Sequence, residues 1–530
     1  MFDLIIRNAK IIDGSCAPWY IADVAVKDGK ISQIGRIDSE ARELVDAERK
    51  ILTPGFIDIH SHSDAGILLH KENESRILQG VTTELGGDCG SSPMPLTPER
   101  RENLRKSYSG FAEKELEPDW EDTAGFLDKI EANGTSVNYA TLAGHGSIRI
   151  AAMGFDDREP VAGELEQMRK LTAQCMEQGC FGISSGLIYP PGSYAKNDEI
   201  MELAKVAASY GGFYKTHMRW EGDEVLQSVE ETITVAEKTG IPTQIDHHKV
   251  LGKKNWKYKS RATIARIIRA RDEGLDITAD QYPYTATATS LTTNIPDWAH
   301  EGGIPKLLER LKDSQTRKKL SKEIEENTLQ TQRSWASLFV SSVKSEKNAW
   351  VMGKNIEDIA KESGKEPIDA IIDLLIEEGC LVDQVNFAMD EEDVEHIMQQ
   401  SFVMIGSDGS VRSLKTKEIP HPRSFGTFPR VISKYCRERK LFSLETAIHK
   451  MTGMSAARMG LHDRGIIKTG MWADLVLFDY EKINDTPTFT KPAAACEGIL
   501  RVYVNGVLTA LNGKHTGANA GKVLRHGRYI

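Results

Sequence analysis

The sequence predicts an α/β protein: a (β/α)8 barrel with a small β-domain assembled from both chain ends and a helix-rich insertion late in the barrel. Three observations lead there. Both ends read as short strands joined by tight turns. The long middle alternates strand-like and helical runs, the signature of a parallel sheet covered by helices. No GxGxxG follows a first strand, which argues against a doubly wound open sheet. At 530 residues the chain exceeds what one small core can use, so a large domain with a smaller companion is expected.

The β-domain begins with residues 1–52. "FDLIIRNAKIID" and "ADVAVKDGKISQIG" are β-rich, and "KDGK" has the composition of a two-residue hairpin turn. The far end, 464–530, repeats this texture in "GMWADLVLFD" and in "ILRVYVNGVLTALNG", whose "VNGV" is again a turn. Pairing the two ends into one β-domain is the economical arrangement.

Residues 53–463 carry the barrel. "SVNYATLAGHG", "GCFGISSGLIYPPG", "GGFYKTHMRW", "IPTQIDHHK", "LDITADQYPY" and "FVMIGSDGS" are strand-like runs ending in glycine or polar residues. Between them, "GELEQMRKLTAQCMEQG" and "DEVLQSVEETITVAEKTG" space apolar residues by three and four, as one helix face requires. From about 300 to 385 the alternation breaks into charged helical sequence such as "KLLERLKDSQTRKKLSKEIEENTLQ". This reads as an insertion on a βα loop, on the side where barrel sites lie or as a solvated excursion.

Composition narrows the partners. The net charge is −10 and no basic stripe appears, which argues against nucleic acid. No apolar run reaches the ~18 residues of a membrane span. "MFDLIIRNAKIIDG" has an early Asp and no basic start, unlike a signal peptide. The seven cysteines are scattered and odd in number, so a reduced cytoplasmic setting is expected.

The chemistry gathers at strand ends. In "ILTPGFIDIHSHSD", His60 and His62 are two apart. On a strand, residues i and i+2 face the same side, so two imidazoles aim at one spot. The next strand ends near Cys89, between glycines. "GGFYKTHMRW" offers His217, "IPTQIDHHK" offers His247 with His248 turned away by alternation, and "FVMIGSDGS" offers Asp408. Each has a bland account: Cys89 as a buried hydrophobe, His217 as a core histidine, Asp408 as a turn residue, His145 of "AGHGSIR" as a structural hydrogen-bonder. Five strand ends converging on one barrel mouth point instead to metal-assisted hydrolysis. Zn2+ takes His nitrogen, Cys sulfur and carboxylate oxygen, and it lowers the pKa of a bound water. Asp408, the carboxylate of the set, is the candidate general acid/base.

With these residues in hand, the chain resembles the D-aminoacylase (N-acyl-D-amino-acid deacylase) family of the amidohydrolase superfamily. The matching segments are "PGFIDIHSHSD", "GDCGSSPMP", "GISSGLIYPP", "THMR", "DHHK", "YPY", "GSDG", "HPRSFGTFPRV" and "KMTGMSAARMGLHDRGIIKTGMWADLVLFD". They run nearly the whole chain. The resemblance implies a distorted TIM barrel beside a β-sandwich, and hydrolysis of small N-acyl-D-amino acids to a carboxylate and a free D-amino acid. It implies one tight zinc on Cys89, His217 and His247, and a second, weaker position flanked by His60, His62 and Asp408. It also implies that Arg423, Lys249, Tyr189 and Tyr282 hold the substrate carboxylate; without it, Arg423 reads as a surface salt bridge and Lys249 as a snorkelling lysine.

Many members of the superfamily bridge two metals with a carboxylated lysine. "GISSGLIYPP" has no lysine, and Cys89 is the natural substitute, though alternation also aims Lys215 inward and leaves a carbamate open. Two departures stand out: Asp88 precedes the metal cysteine where the family often has Asn, and Ala288 falls where it has a substrate-contacting serine. The competing reading is a cyclic-amide hydrolase of hydantoinase or dihydroorotase type, which would bring a lysine carbamate. Association into a homo-oligomer is left open by the sequence.

Overall fold

A computed structural model describes residues 1–108 and 115–527. The two chain ends meet in one nine-stranded sheet. Its N-terminal strands are Phe2–Ile11, Tyr20–Lys27, Lys30–Gly35, Ala41–Asp46 and Ile51–Pro54; its C-terminal strands are Leu475–Phe478, Ile499–Val504, Val507–Leu511 and Lys514–His515. The join is antiparallel, with Leu52 opposite Leu477. Asp28 and Gly29 have φ of 53° and 74°, so "KDGK" makes the primed hairpin turn its composition asks for. "VNGV" repeats it, with Asn505 at 48° and Gly506 at 81°. Residues from both ends, among them Ile6, Val24, Val26, Leu52, Leu475 and Tyr503, share one apolar core.

The barrel strands are Phe56–Asp58, Val81–Gly86, Asn138–Thr141 (continued by Ala143–Gly144), Gly182–Gly186, Phe213–His217, Thr243–Ile245, Ile277–Gln281 and Val403–Ile405. Every pairing between neighbours is parallel. Val81–Gly86 and Phe213–His217 are buried throughout, as strands covered on both faces must be. The first and last strands meet just beyond their C-terminal ends. There Asp408 N donates to the His60 carbonyl and Gly409 accepts from His62 N, each at 2.8 Å. That seam places His60, His62 and Asp408 side by side.

Between the seventh and eighth barrel strands lies the insertion. It is an antiparallel sheet of Thr287–Ser290, Asp383–Asn386 and Leu338–Ser342 carrying the helices Gly303–Lys312, Ser314–Thr331, Ile356–Ser363 and Pro367–Glu377. Leu307, Leu311, Leu320, Ile371 and Leu375 form its own core. The unit opens with Thr287–Ser290, ahead of the expected start at 300. That strand is short and half-exposed, and its partner lies far along the chain, so its local sequence carries little strand signal. Among the described residues, no helix is long and apolar enough to cross a membrane.

Candidate metal centre and substrate cavity

All six sequence-predicted metal residues meet at the C-terminal mouth of the barrel. His60, His62, Cys89 and Asp408 offer ligand atoms within 4.8 Å of one another, and so do Cys89, His217 and His247. Cys89 belongs to both groups. Its Sγ is 3.5 Å from His60 Nε2 and 3.5 Å from His247 Nε2, and His247 Nε2 is 2.9 Å from His217 Nδ1. A tetrahedral zinc, with Zn–S of about 2.3 Å and Zn–N of about 2.0 Å, separates sulfur from nitrogen by about 3.5 Å.

The backbone bends to make this possible. Cys89, His247 and Asp408 have φ of 51°, 33° and 50°, the left-handed region that residues other than glycine seldom occupy. Strain of this kind persists where the surrounding structure fixes it, most often at functional sites. Glycine makes room: a Cβ on Gly186 would sit 2.1 Å from the Cys89 carbonyl oxygen, and one on Gly406 would sit 2.6 Å from His60 Cβ.

Electrostatics suit a cation. Burial pulls the pKa values of His60, His217 and His247 down, so these imidazoles present lone pairs. His217 Nε2 has no hydrogen-bond partner among the described residues. Burial also disfavours a charged His62, but the hydrogen bond and charge of Asp408 outweigh it and raise its pKa. Burial, then the carboxylates of Asp246, Asp408 and Asp88, push the Cys89 thiol well up. A bound cation supplies the charge that draws off this proton.

Asp408 is gripped from two sides. Its Oδ2 is 2.7 Å from Arg423 Nη1 and its Oδ1 is 3.0 Å from His62 Nε2. Burial opposes ionisation, yet Arg423 and His247 hold this carboxyl well below the usual range.

The remaining contacts orient the ligands. His60 Nδ1 lies 3.2 Å from Asp280 Oδ1, which points Nε2 at the cavity. Glu221 Oε1 lies 3.2 Å from His247 Nδ1 and accepts from Lys249 Nζ at 2.6 Å. Such partners fix ring orientation and raise ligand basicity. His248 turns away to Thr263 Oγ1 at 2.9 Å, and His145 Nε2 pairs with Glu199 Oε1 at 2.7 Å.

Beneath the ligands lies a cage that sequence reasoning missed. Lys215 Nζ is 2.6 Å from Asp88 Oδ1, 3.3 Å from Asp246 Oδ1 and 3.7 Å from Asp280 Oδ2, and it donates to the Ile59 carbonyl at 2.6 Å. All four side chains are buried. Burial works against the ammonium, but the three carboxylates raise its pKa. Lys215 points inward as alternation requires, and there it serves as counter-ion to the acidic trio. An Asp in the buried strand "ITADQ" was the available signal.

The four expected substrate residues divide. Arg423 and Tyr189 line a cavity of about 430 Å3 that also reaches His62, Cys89 and Asp408. Lys249 and Tyr282 stand behind its wall. Lys249 is spent on Glu221 Oε1 and His247 Nδ1, 2.6 and 2.5 Å from its Nζ, and the Tyr282 ring lies under the Arg423 guanidinium, 4.7 Å from centroid to Cζ.

A parallel barrel whose strand ends carry His-x-His, Cys, two further His and an Asp defines a metal-dependent hydrolase site. The chain matches the amidohydrolase family over residues 43–510, and it belongs to that family. It is 36% identical over 527 residues to a D-aminoacylase of Alcaligenes xylosoxydans xylosoxydans, covering 99% of this chain and 97% of that protein. The crystal structure of the N-acyl-D-glutamate deacylase of Bordetella bronchiseptica superposes with a TM-score of 0.82 at 32% identity, covering 99% of each chain. That enzyme holds zinc and a phosphonate inhibitor that mimics the tetrahedral intermediate. Within the amidohydrolases, the chain thus belongs with the D-aminoacylases and N-acyl-D-amino-acid deacylases. A D-hydantoinase shares the fold alone, with a TM-score of 0.58 and 15% identity.

Proposed function

We propose that this protein hydrolyses the linear amide of N-acyl-D-amino acids, releasing a carboxylate and a free D-amino acid. The observation that carries the reading is the double donor group sharing Cys89 at the floor of the cavity. Cys89, His217 and His247 are the tight zinc ligands, and His60, His62 and Asp408 flank a second, weaker position. When bound, zinc supplies Lewis-acid polarisation of the acyl carbonyl and a lowered pKa for water.

This chain's residues do the rest. Asp408 keeps an ionised carboxylate over the ligand set, where it takes a proton from the attacking water and returns it to the leaving nitrogen. Water adds to the acyl carbon, the C–N bond breaks, and the amine leaves protonated. Arg423 exchanges its pairing with Asp408 for the substrate carboxylate, which its planar fork matches. Tyr282 backs that guanidinium as a cation–π partner. Tyr189 closes the opposite wall, edge-on to His217 at 4.9 Å between ring centroids. Lys249 positions His247, its Nζ lying 2.5 Å from His247 Nδ1 and 2.6 Å from Glu221 Oε1. The ammonium cage of Lys215 weighs against a lysine carbamate and hence against the cyclic-amide reading. The seven cysteines are free, which supports a cytoplasmic setting.

The test is zinc-loaded protein against N-acetyl-D- and N-acetyl-L-amino acids, following free amine. Release from D substrates is expected. Release from none of them would overturn the proposal.

A further inference from the structure

The substrate cavity has a polar wing. It runs past Ser290, Ser341, Asp383, Ser410 and Arg412, and it continues into a second chamber of about 340 Å3 that shares Asp383 and Arg412 and adds Lys344 and Glu418. The charges here are not equivalent. Arg412 Nε is 3.1 Å from Glu418 Oε2, and Glu418 Oε1 accepts from Ser342 Oγ at 3.1 Å. Lys344 is exposed. On the other side of the cavity, Arg100 is committed to the Pro95 and Ser92 carbonyls and to Ser147 Oγ. Arg423 is paired with Asp408. Asp383 alone among these carboxylates has no hydrogen bond or ion pair with the described residues, and it opens onto both chambers.

Its position relative to Arg423 sets a length. Arg423 Nη2 donates to the Ala288 carbonyl at 3.1 Å. Two residues on, Ser290 stands opposite Asp383 in the register of the sheet. Two strand residues span about 6.8 Å and the facing strand lies about 5 Å across, which puts Asp383 about 8 Å from Ala288. A substrate whose carboxylate lies on Arg423 therefore directs a long side chain along this edge, and a four-carbon stem with a cationic head is of matching length.

We propose that Asp383 is a specificity-determining residue that favours N-acyl-D-amino acids with a cationic side chain, the lysine and arginine derivatives. This rests on the deacylase reading and deepens it. Asp383 is exposed at the edge of the cavity, so its carboxylate is open to a cationic partner there. Overall similarity does not settle side-chain preference, because the relatives include both a D-aminoacylase and a D-glutamate-specific deacylase at comparable identity.

The experiment compares kcat/KM for N-acetyl-D-lysine, -arginine, -leucine and -glutamate in the native protein, Asp383→Asn and Asp383→Lys. A hydrogen bond to a charged group is worth about 1.5–3 kcal/mol, a factor of roughly 10 to 150. The native protein is expected to favour lysine and arginine over leucine. Asp383→Asn should cut the lysine-to-leucine ratio at least tenfold, chiefly through KM, and Asp383→Lys should move the preference towards glutamate. An unchanged ratio in both variants, or a native preference for leucine or glutamate, would sink the role of Asp383. Turnover of none of the four substrates would instead sink the deacylase reading beneath it.

Discussion

Replacing Lys215 with Met removes the ammonium and keeps an unbranched side chain in a site with no solvent access. Three carboxylates, with oxygens 2.6, 3.3 and 3.7 Å from Nζ, lose their shared cation, and the Ile59 carbonyl loses a donor. Removing one partner of a buried ion pair costs about 3–5 kcal/mol. One cation serving three anions belongs at the upper end of that range. Against a whole-protein stability of roughly 5–15 kcal/mol, this is a large fraction, and in a chain of 530 residues it corresponds to a fall in Tm of roughly 3–5 °C. The cage also orients His60, through Asp280, and the backbone of His247, whose N–H donates to Asp280 Oδ1 at 2.8 Å. Zinc content should therefore fall as well. Thermal melting and metal analysis of Lys215→Met, Lys215→Arg, Asp88→Asn and the double variant Lys215→Met with Asp88→Asn make the assay. The double variant carries one fewer uncompensated charge and should recover part of the loss, a coupling of about 0.5–3 kcal/mol. Melting of Lys215→Met within about 2 °C of the native protein, or a double variant no better than the single one, would refute the counter-ion role. If Lys215→Met does not accumulate, Lys215→Arg and the double variant carry the comparison.

Three further outcomes follow from the ligand geometry. Cys89→Ala should lose the tightly held zinc on dialysis against a weak chelator, read as zinc per chain; retention of a full equivalent would remove Cys89 from the ligand set. Asp408→Asn should keep that zinc but lower kcat by about 10²–10⁴, the usual worth of a positioned general acid/base; near-native kcat would end its assignment. A strong chelator should abolish hydrolysis and added zinc restore it, with the Tm rising on reloading because a ligand that binds only the folded state stabilises it.

Much of this site was legible because its signals are local. A period of two along a strand puts His60 and His62 on one face and separates His247 from His248. Glycines beside Cys89 and ahead of His60's neighbour on the last strand mark close backbone approach. The turn "KDGK" specifies its own geometry. The cage, the tether of Glu221 to His247 and the lone carboxylate of Asp383 were not legible in this way. The sequence marks Asp88 and the inward Lys215 singly, but no local pattern joins them to each other or to Asp246 and Asp280, which come from other strands.

The sequence by itself determined the alternating architecture, the joining of the chain ends in one sheet and the gathering of His, Cys and Asp at the strand ends, since each depends on short-range periodicity and residue chemistry. Only the tertiary structure decided that Lys215 is a buried counter-ion, that Lys249 and Tyr282 stand behind the cavity wall, that Arg423 rests on Asp408, and that the insertion lines the cavity with Asp383. These depend on closure of the barrel and on pairing between Thr287–Ser290 and Asp383–Asn386. Contacts across such separations are fixed by packing of the whole chain, and no local pattern encodes them.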